Sequence, residues 1–245
     1  MSTRQGPPVS FVSFLALALL AVYSPGGAGE PELVSFPTGD GGVVYANLFG
    51  AGPHAVVLAH GGRFTKESWS EQIPTLVDAG LRVLALDFRG RGKSRGGPEA
   101  PPGDDGAPFD VLAAMDYLGS RGAQRISLVG ASFGGWAVAN AATRAAPEVA
   151  ARIDRIVLLA HSPIRNPEDL PGCKLFVTTR GDFQGSGTLR LPSIRDQHER
   201  APEPKRLLIL EGDAHAQFIF ETDEGPHLLR EIVEYLTEPA GRCGG

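Results

Sequence analysis

Cysteine is scarce in this sequence, which has two among its 245 residues, Cys173 and Cys243. No second pair lies nearby, and no cluster of His, Asp and Cys shows the spacing of metal ligands. We therefore predict chemistry without a metal or another cofactor. In an exported protein the two cysteines would be able to form one disulfide between body and tail. Because spacing alone does not define pairing, we favour unpaired thiols, one buried at a strand start and one on the tail.

The sequence also lacks an excess of positive charge. Its 23 Lys and Arg residues are outnumbered by 28 Asp and Glu residues, and the formal net charge is −5. Both signs are mixed along the chain, without a basic face for nucleic acid or a block of like charges that would form an interaction tail. The expected partner is a small molecule.

A long apolar run occurs at the N-terminus, where residues 9–22 follow Arg4 and precede the small residues that end at Ala28. Fourteen residues of helix reach about 21 Å, which is short of a hydrocarbon core of about 30 Å. We therefore interpret residues 1–28 as a signal peptide, which predicts an exported protein, periplasmic or secreted, with no stable membrane span after cleavage. An uncut membrane anchor and a misread start codon are the alternatives.

The remaining residues, 29–245, contain no internal repeat and no linker, and their number suits a single domain. Two short β-rich runs at 32–36 and 42–49 flank a glycine-rich turn, which predicts an antiparallel hairpin. Continuous apolar runs, typical of strands buried on both faces of a parallel sheet, follow at 54–60, 81–87, 126–129, 156–160, 174–179 and 206–210.

Segments with helical spacing alternate with these runs. Apolar residues recur at intervals of three and four in the segments 66–79, 110–118, 133–146 and 225–236. Alternation of strand and helix predicts an α/β fold, a doubly wound, mostly parallel sheet with the N-terminal hairpin at its start.

The most informative motif is Gly130-Ala131-Ser132-Phe133-Gly134. It follows an apolar run directly and leads directly into a helical segment. A strand that turns at once into a helix around G-x-S-x-G exposes its serine on a strained corner at the carboxyl edge of the sheet. We predict that Ser132 is a nucleophile, the alternative being a tight structural turn.

A second G-x-S-x-G match surrounds Ser94, but the residues after it are rich in glycine and proline and cannot begin a helix. Context therefore favours Ser132 over Ser94.

From Glu32 to Leu236 the sequence resembles the α/β-hydrolases of the dienelactone-hydrolase and serine-hydrolase type. The resemblance is carried by the segment 60–62 (His-Gly-Gly), the segment 87–94 (Asp-Phe-Arg-Gly-Arg-Gly-Lys-Ser) and the turn at Ser132. In that family the catalytic triad follows the chain order serine, acid, histidine.

A catalytic base must lie on a loop at the carboxyl edge of the sheet, within reach of the serine. His215 meets this requirement because it leaves the last predicted strand through a glycine turn. The one rival is His161, which ends the strand 156–160. The other four of the six histidines are assigned to a loop, a strand start or exposed helices: His60, His54, His198 and His227.

The acid should follow the strand 174–179, where Asp182 stands. A carboxylate there would accept a hydrogen bond from His215 and hold its tautomer. The alternative is a turn aspartate that caps its own backbone, with Glu168 and Asp169 as the replacement acids.

Two backbone amides are predicted to form an oxyanion hole, that of Phe133 and that of Gly62. The segment 161–173, about a dozen residues, connects two predicted strands. It is too short for a lid domain, so we expect an open site. The side chains predicted near it are Arg63, Phe64, Phe133, Trp136, His161 and Phe183.

The resemblance and these residues predict a metal-free, cofactor-free serine hydrolase that cleaves a small or exposed carboxylic ester through an acyl-enzyme. A peptidase or thioesterase with the same triad is one alternative, since only the leaving group differs. A non-catalytic binding protein with the same fold is the other.

Overall fold

The computed structural model describes residues 29–101, 103–239 and 243. The predicted signal peptide lies outside the described residues and stays a prediction. Among the helices that are described, none combines the length and the apolar character that a bilayer crossing needs.

A single sheet of eight strands forms the centre of the described structure. The strands are β1 (Glu32–Pro37), β2 (Val43–Phe49), β3 (His54–Ala59), β4 (Arg82–Leu86), β5 (Arg125–Ala131), β6 (Ile153–Leu159), β7 (Cys173–Thr179) and β8 (Lys205–Leu210). Their spatial order is β1-β2-β4-β3-β5-β6-β7-β8. β1 and β2 are antiparallel, β2 runs antiparallel to β4, and all later pairings are parallel. The predicted hairpin and mostly parallel sheet are confirmed.

Helices cover both faces of the sheet. They are α1 (Ile73–Asp78), α2 (Ala107–Ser120), α3 (Phe133–Arg144), α4 (Pro147–Ala150), α5 (Leu191–Arg200) and α6 (Gly225–Thr237). Short 3-10 helices span Lys66–Trp69, Gly103–Gly106, Pro167–Asp169 and Ala216–Glu221.

The core has two layers because successive strand residues point to opposite faces of the sheet. In β3, Val57 packs in the layer that contains α2 and α3, whereas Val56 and Leu58 pack in the layer that contains α1 and α6. All six residues of β3 are buried. The continuous apolar runs of β3 to β7 thus reflect burial on both faces. The prediction is wrong for the run 206–210, because β8 is an edge strand in which only Leu210 is buried.

The prediction of one continuous helix over 66–79 is wrong. The chain forms a 3-10 turn at Lys66–Trp69 and then begins α1 at Ile73. Pro74 lies in the first turn of α1, where its missing amide hydrogen costs nothing, but within a longer helix it would break the hydrogen-bond ladder. Pro147 likewise begins a short helix, α4, that the sequence analysis did not predict.

The preference for unpaired thiols is also wrong. Cys173, the first residue of β7, forms a disulfide with Cys243 near the C-terminus. The bond ties the chain end to the sheet across a separation of 70 residues.

The connection between β6 and β7 is short, as predicted. It holds one 3-10 turn, Pro167–Asp169, and no inserted domain. The carboxyl edge of the sheet therefore has no lid from this segment.

Buried histidines predict a pH dependence of stability. Burial is the main cause that lowers the pKa of His54 from 6.5 to about 4, with Arg125 and Arg155 adding to it and Asp154 opposing it. His54 is 5% exposed, and its Nε2 lies 2.8 Å from Oγ of Ser127. Between these pKa values the unfolded chain binds more protons than the folded one, so the free energy of unfolding falls as the pH drops from about 6.5 to about 4.

We predict that in His54→Gln the free energy of unfolding falls less over this pH interval. The difference from the unmodified protein should be at most about 3 kcal/mol. Urea denaturation at a series of pH values measures it. The control is His227→Gln, whose side chain is 41% exposed and which should keep the slope of the unmodified protein. An unchanged slope in His54→Gln would show that His54 does not contribute to the pH dependence of stability.

Candidate active site

Ser132 lies on a sharp turn between β5 and α3, with no residue between the strand and the serine or between the serine and the helix. Its φ is 52° and its ψ −112°, a backbone conformation that residues with a side chain rarely adopt. Gly130 and Gly134 permit this turn: a Cβ at Gly130 would overlap the backbone of Gly134, and one at Gly134 would overlap the backbone of Ala59. The strand–turn–helix arrangement around Ser132 is as predicted.

His215 lies between Ser132 and Asp182. Its Nε2 is 2.8 Å from Oγ of Ser132, and its Nδ1 is 2.7 Å from Oδ2 of Asp182. An ionised carboxylate only accepts hydrogen bonds, so Nδ1 carries the proton and Nε2 is free to accept one from the serine hydroxyl. The three side chains that the sequence analysis chose are brought together in a geometry suited to proton transfer.

The burial of the three groups differs along this chain of hydrogen bonds. Asp182 is 1% exposed, whereas the side chain of His215 is 30% exposed. Ser132 is partly buried. The acid is therefore shielded from water while the imidazole and the hydroxyl remain open to a molecule in solution.

Asp182 has a second partner, Arg190, which the sequence analysis missed. Nε of Arg190 donates a hydrogen bond of 3.0 Å to Oδ2 of Asp182, and the backbone amide of Arg190 donates one of 2.8 Å to the carbonyl oxygen of Asp182. An antiparallel bridge between Phe183 and Leu189 closes the loop that returns Arg190 to this position. No motif in the sequence marks this return, because the loop between them has no regular period.

The backbone amides of Gly62 and Phe133 are available for an oxyanion. Neither amide donates a hydrogen bond to another described residue. The two residues are neighbours, because a Cβ placed on Gly62 would lie 3.7 Å from Cβ of Phe133. Two such donors beside a serine hydroxyl are suited to bind a developing negative charge.

The loop that carries Gly62 is fixed by its other polar atoms. Oε1 of Gln217 accepts a 2.7 Å hydrogen bond from the amide of Gly61, and His60 Nδ1 lies 2.8 Å from the carbonyl oxygen of Gly61. Arg91 donates to the carbonyl oxygen of Gly62. His60 thus lies in this loop, as predicted, and its ring helps to hold it.

Gln217 is the second residue that the sequence analysis missed. It is 4% exposed, and its Nε2 donates a 2.5 Å hydrogen bond to Oγ of Ser68. Because Gln217 stands two residues after His215, one side chain links the histidine segment to the glycine loop. Its position so soon after the candidate base was the only signal available in the sequence.

A cavity of about 400 Å³ opens beside Ser132 and His215. Of the predicted neighbours, Arg63, Phe64, Phe133 and Phe183 line it. The full lining is Gly61, Gly62, Arg63, Phe64, Ser132, Phe133, Phe183, Gly185, Arg190, His215, Ala216 and Phe218.

Two predicted neighbours do not line this cavity. His161 is 1% exposed, its Nε2 lies 3.3 Å from Oε1 of Gln197, and burial lowers its pKa to about 4. Its place at the end of β6 suggested a pocket wall, but the ring points into the protein against Phe176. Trp136 lines a different cavity, of about 840 Å³, and its ring stacks on that of Phe133.

The alternative residues are engaged elsewhere. Oγ of Ser94 accepts a 2.8 Å hydrogen bond from the amide of Tyr45, and no helix begins directly after Ser94. Glu168 pairs with Arg200 at 2.9 Å, and Asp169 lines the larger cavity.

His198, expected on an exposed helix, is half-buried with its ring against Phe176. Within the described residues, no group of three or more His, Cys, Asp or Glu side chains is placed to hold a metal ion.

Comparisons with known proteins place the chain among proteins of the same fold. Residues 56–240 match the sequence model of the Alpha/beta hydrolase family. Non-heme chloroperoxidase CPO-A1 of Kitasatospora aureofaciens is 32% identical over 142 residues, which are 55% of this chain and 48% of that protein. A 2-hydroxy-6-oxononadienedioate/2-hydroxy-6-oxononatrienedioate hydrolase of a Pseudomonas species is 27% identical over 224 residues, 88% of this chain and 74% of that protein. The chain spans less than half the length of several curated relatives that it matches.

Solved structures share the fold at low sequence identity. Esterase Pf2001 of Pyrococcus furiosus superposes with a TM-score of 0.69 at 19% identity, covering 86% of this chain and 94% of that one. An esterase of Exiguobacterium antarcticum gives a TM-score of 0.67 at 14% identity, covering 84% of this chain and 99% of that one.

The contacts of Gln217 predict a cost for its removal. Gln217→Leu leaves the buried amide of Gly61 without an acceptor and removes the donor to Oγ of Ser68, so the free energy of unfolding should fall by about 1 to 3 kcal/mol. Urea denaturation measures the change. The exposed Gln124→Leu is the matched control and should stay within about 0.5 kcal/mol of the unmodified protein. Equal stability of the two variants would show that the Gln217 contacts contribute nothing.

Proposed function

Because the chain belongs to the alpha/beta hydrolase family, we propose that it is a serine hydrolase that cleaves carboxylic esters through an acyl-enzyme. The observation that carries this proposal is the continuous hydrogen-bonded path from Asp182 through His215 to Ser132, with distances of 2.7 and 2.8 Å. A non-catalytic binding protein would have no need of this path or of a strained serine beside two free amides.

In the first half of the reaction, Oγ of Ser132 attacks the ester carbonyl carbon while Nε2 of His215 takes the hydroxyl proton. The carbonyl oxygen becomes negative and binds to the amides of Phe133 and Gly62. The carbon–oxygen bond to the alcohol then breaks, and His215 returns the proton to the departing alkoxide. The acyl group remains on Ser132.

In the second half, water replaces the alcohol. His215 takes a proton from water as the water oxygen attacks the acyl carbon, and the same two amides hold the oxyanion. Breakage of the bond to Oγ releases the carboxylic acid and restores the serine. Asp182 stays ionised throughout and stabilises the imidazolium that forms in each half.

The dimensions of the site favour a small or exposed ester. The cavity holds about 400 Å³ and has no lid from the β6–β7 connection. Phe183 and Phe218, 59% and 39% exposed, stand at its rim and are free to contact the apolar part of a substrate. A long acyl chain would extend into water, and the part that stays in water would contribute little to binding.

We also propose that the protein is exported, periplasmic or secreted, and acts on a soluble small molecule. The apolar segment 9–22 supports this location. The disulfide between Cys173 and Cys243 supports it too, since such bonds persist in oxidising compartments.

Replacement of the serine tests the proposed reaction. Ser132→Ala should lower kcat for p-nitrophenyl acetate by about 10³-fold or more, because no other group forms the acyl-enzyme. Release of p-nitrophenol measures the rate. The matched control is Ser94→Ala, the centre of the other G-x-S-x-G segment, which should retain activity within about threefold. Folded Ser132→Ala with full activity, or a folded unmodified protein with none, would refute the proposal.

A further inference from the structure

The cavity beside Ser132 has a charge opposite to that of the whole chain. Two arginines, Arg63 and Arg190, are among its lining residues, and no carboxylate is. The chain as a whole has a formal net charge of −5. A positively lined cleft in a negatively charged protein attracts and orients anionic molecules.

Arg63 contributes a charge that no described carboxylate balances. Its side chain is exposed and makes no hydrogen bond or ion pair with any described residue. The carboxylate of Glu67, four residues further on, is engaged with Lys66 at 2.7 Å and with the hydroxyl of Thr65 at 2.6 Å. Arg63 follows Gly62 directly, and both residues line the cavity beside Ser132.

Arg190 contributes hydrogen-bond donors, while its charge is paired with that of Asp182. Its side chain is 12% exposed, and Nε is bound to Asp182 at 3.0 Å. Its two terminal nitrogens, Nη1 and Nη2, donate to no residue in the described part of the chain. The ion pair fixes the guanidinium plane, which leaves these two nitrogens ready for a molecule in the cavity.

The carboxylates around the cavity pair with Arg190 but leave the charge of Arg63 unpaired. Asp182 is 1% exposed and already binds both His215 and Arg190. Glu67, Glu71 and Glu221 line a separate cavity, which shares Phe64 with this one.

We propose that the site prefers esters that carry a carboxylate, bound by Arg63 and by the terminal nitrogens of Arg190. This inference rests on the proposed esterase function and specifies its substrate class. A guanidinium is always protonated, and its planar fork matches a carboxylate, which makes charge-assisted hydrogen bonds stronger than neutral ones. The phenylalanines at the rim contact the carbon chain between the carboxylate and the ester.

Matched ester pairs test the proposal in the unmodified protein. The first pair places the charge in the acyl group, as mono-p-nitrophenyl adipate against its terminal amide. The second places it in the leaving group, as 4-acetoxy-3-nitrobenzoate against 4-acetoxy-3-nitrobenzamide. In at least one pair kcat/KM for the carboxylate should exceed that for the amide by about fivefold or more. This ratio should fall as NaCl rises from about 50 to about 500 mM, because salt screens the attraction.

Arginine variants then assign the preference to the cavity. Arg63→Gln should lower the ratio by about threefold or more, whereas the exposed Arg230→Gln on α6, which removes the same charge elsewhere, should leave it unchanged. Ratios below about fivefold in both pairs would overturn the inference while the esterase function stands. A ratio that Arg63→Gln lowers by less than about threefold would overturn it too. Failure of the folded protein to hydrolyse any of the four esters would contradict the proposed function itself.

Discussion

The candidate site depends on one constraint, which is that parallel strands in a sheet end at a common edge. Ser132 follows β5, Asp182 follows β7 and His215 follows β8. The hydrogen bond between His215 and Ser132 spans 83 residues of sequence, and that between His215 and Asp182 spans 33. Burial of the strands on both faces fixes their register, and the register brings three distant side chains into contact.

Backbone strain is concentrated at the same edge. The non-glycine residues with positive φ in the described part of the chain are Ser132, Ala160 and Ala216, at 52°, 44° and 53°. Ser132 and Ala160 directly follow strands, and Ala216 directly follows His215. Each such residue costs roughly 1 to 3 kcal/mol, which the packed layers on the two faces of the sheet offset. The rigid core therefore holds the serine and histidine segments in conformations that isolated loops would not keep.

The sequence was sufficient to predict the elements whose residues follow a periodic or local pattern. Continuous apolar runs mark each of the buried strands, and the glycines around Ser132 identify its turn because no larger residue fits there. Contacts between loops carry no such pattern. Arg190 and Gln217 reach the site through loop paths that follow no period, and His161 lies at the expected edge with its ring turned inward. The orientation of a side chain depends on its packing partners, which composition does not define.

Covalent labelling tests the central claim, that His215 activates Ser132 as a nucleophile. The protein is treated with a fluorophosphonate and the adduct is located by peptide mass spectrometry, in the unmodified chain and in His215→Gln. We expect a single adduct on Ser132 that forms about 10³-fold more slowly in the variant. An adduct on another residue, or an equal rate without the imidazole, would contradict it.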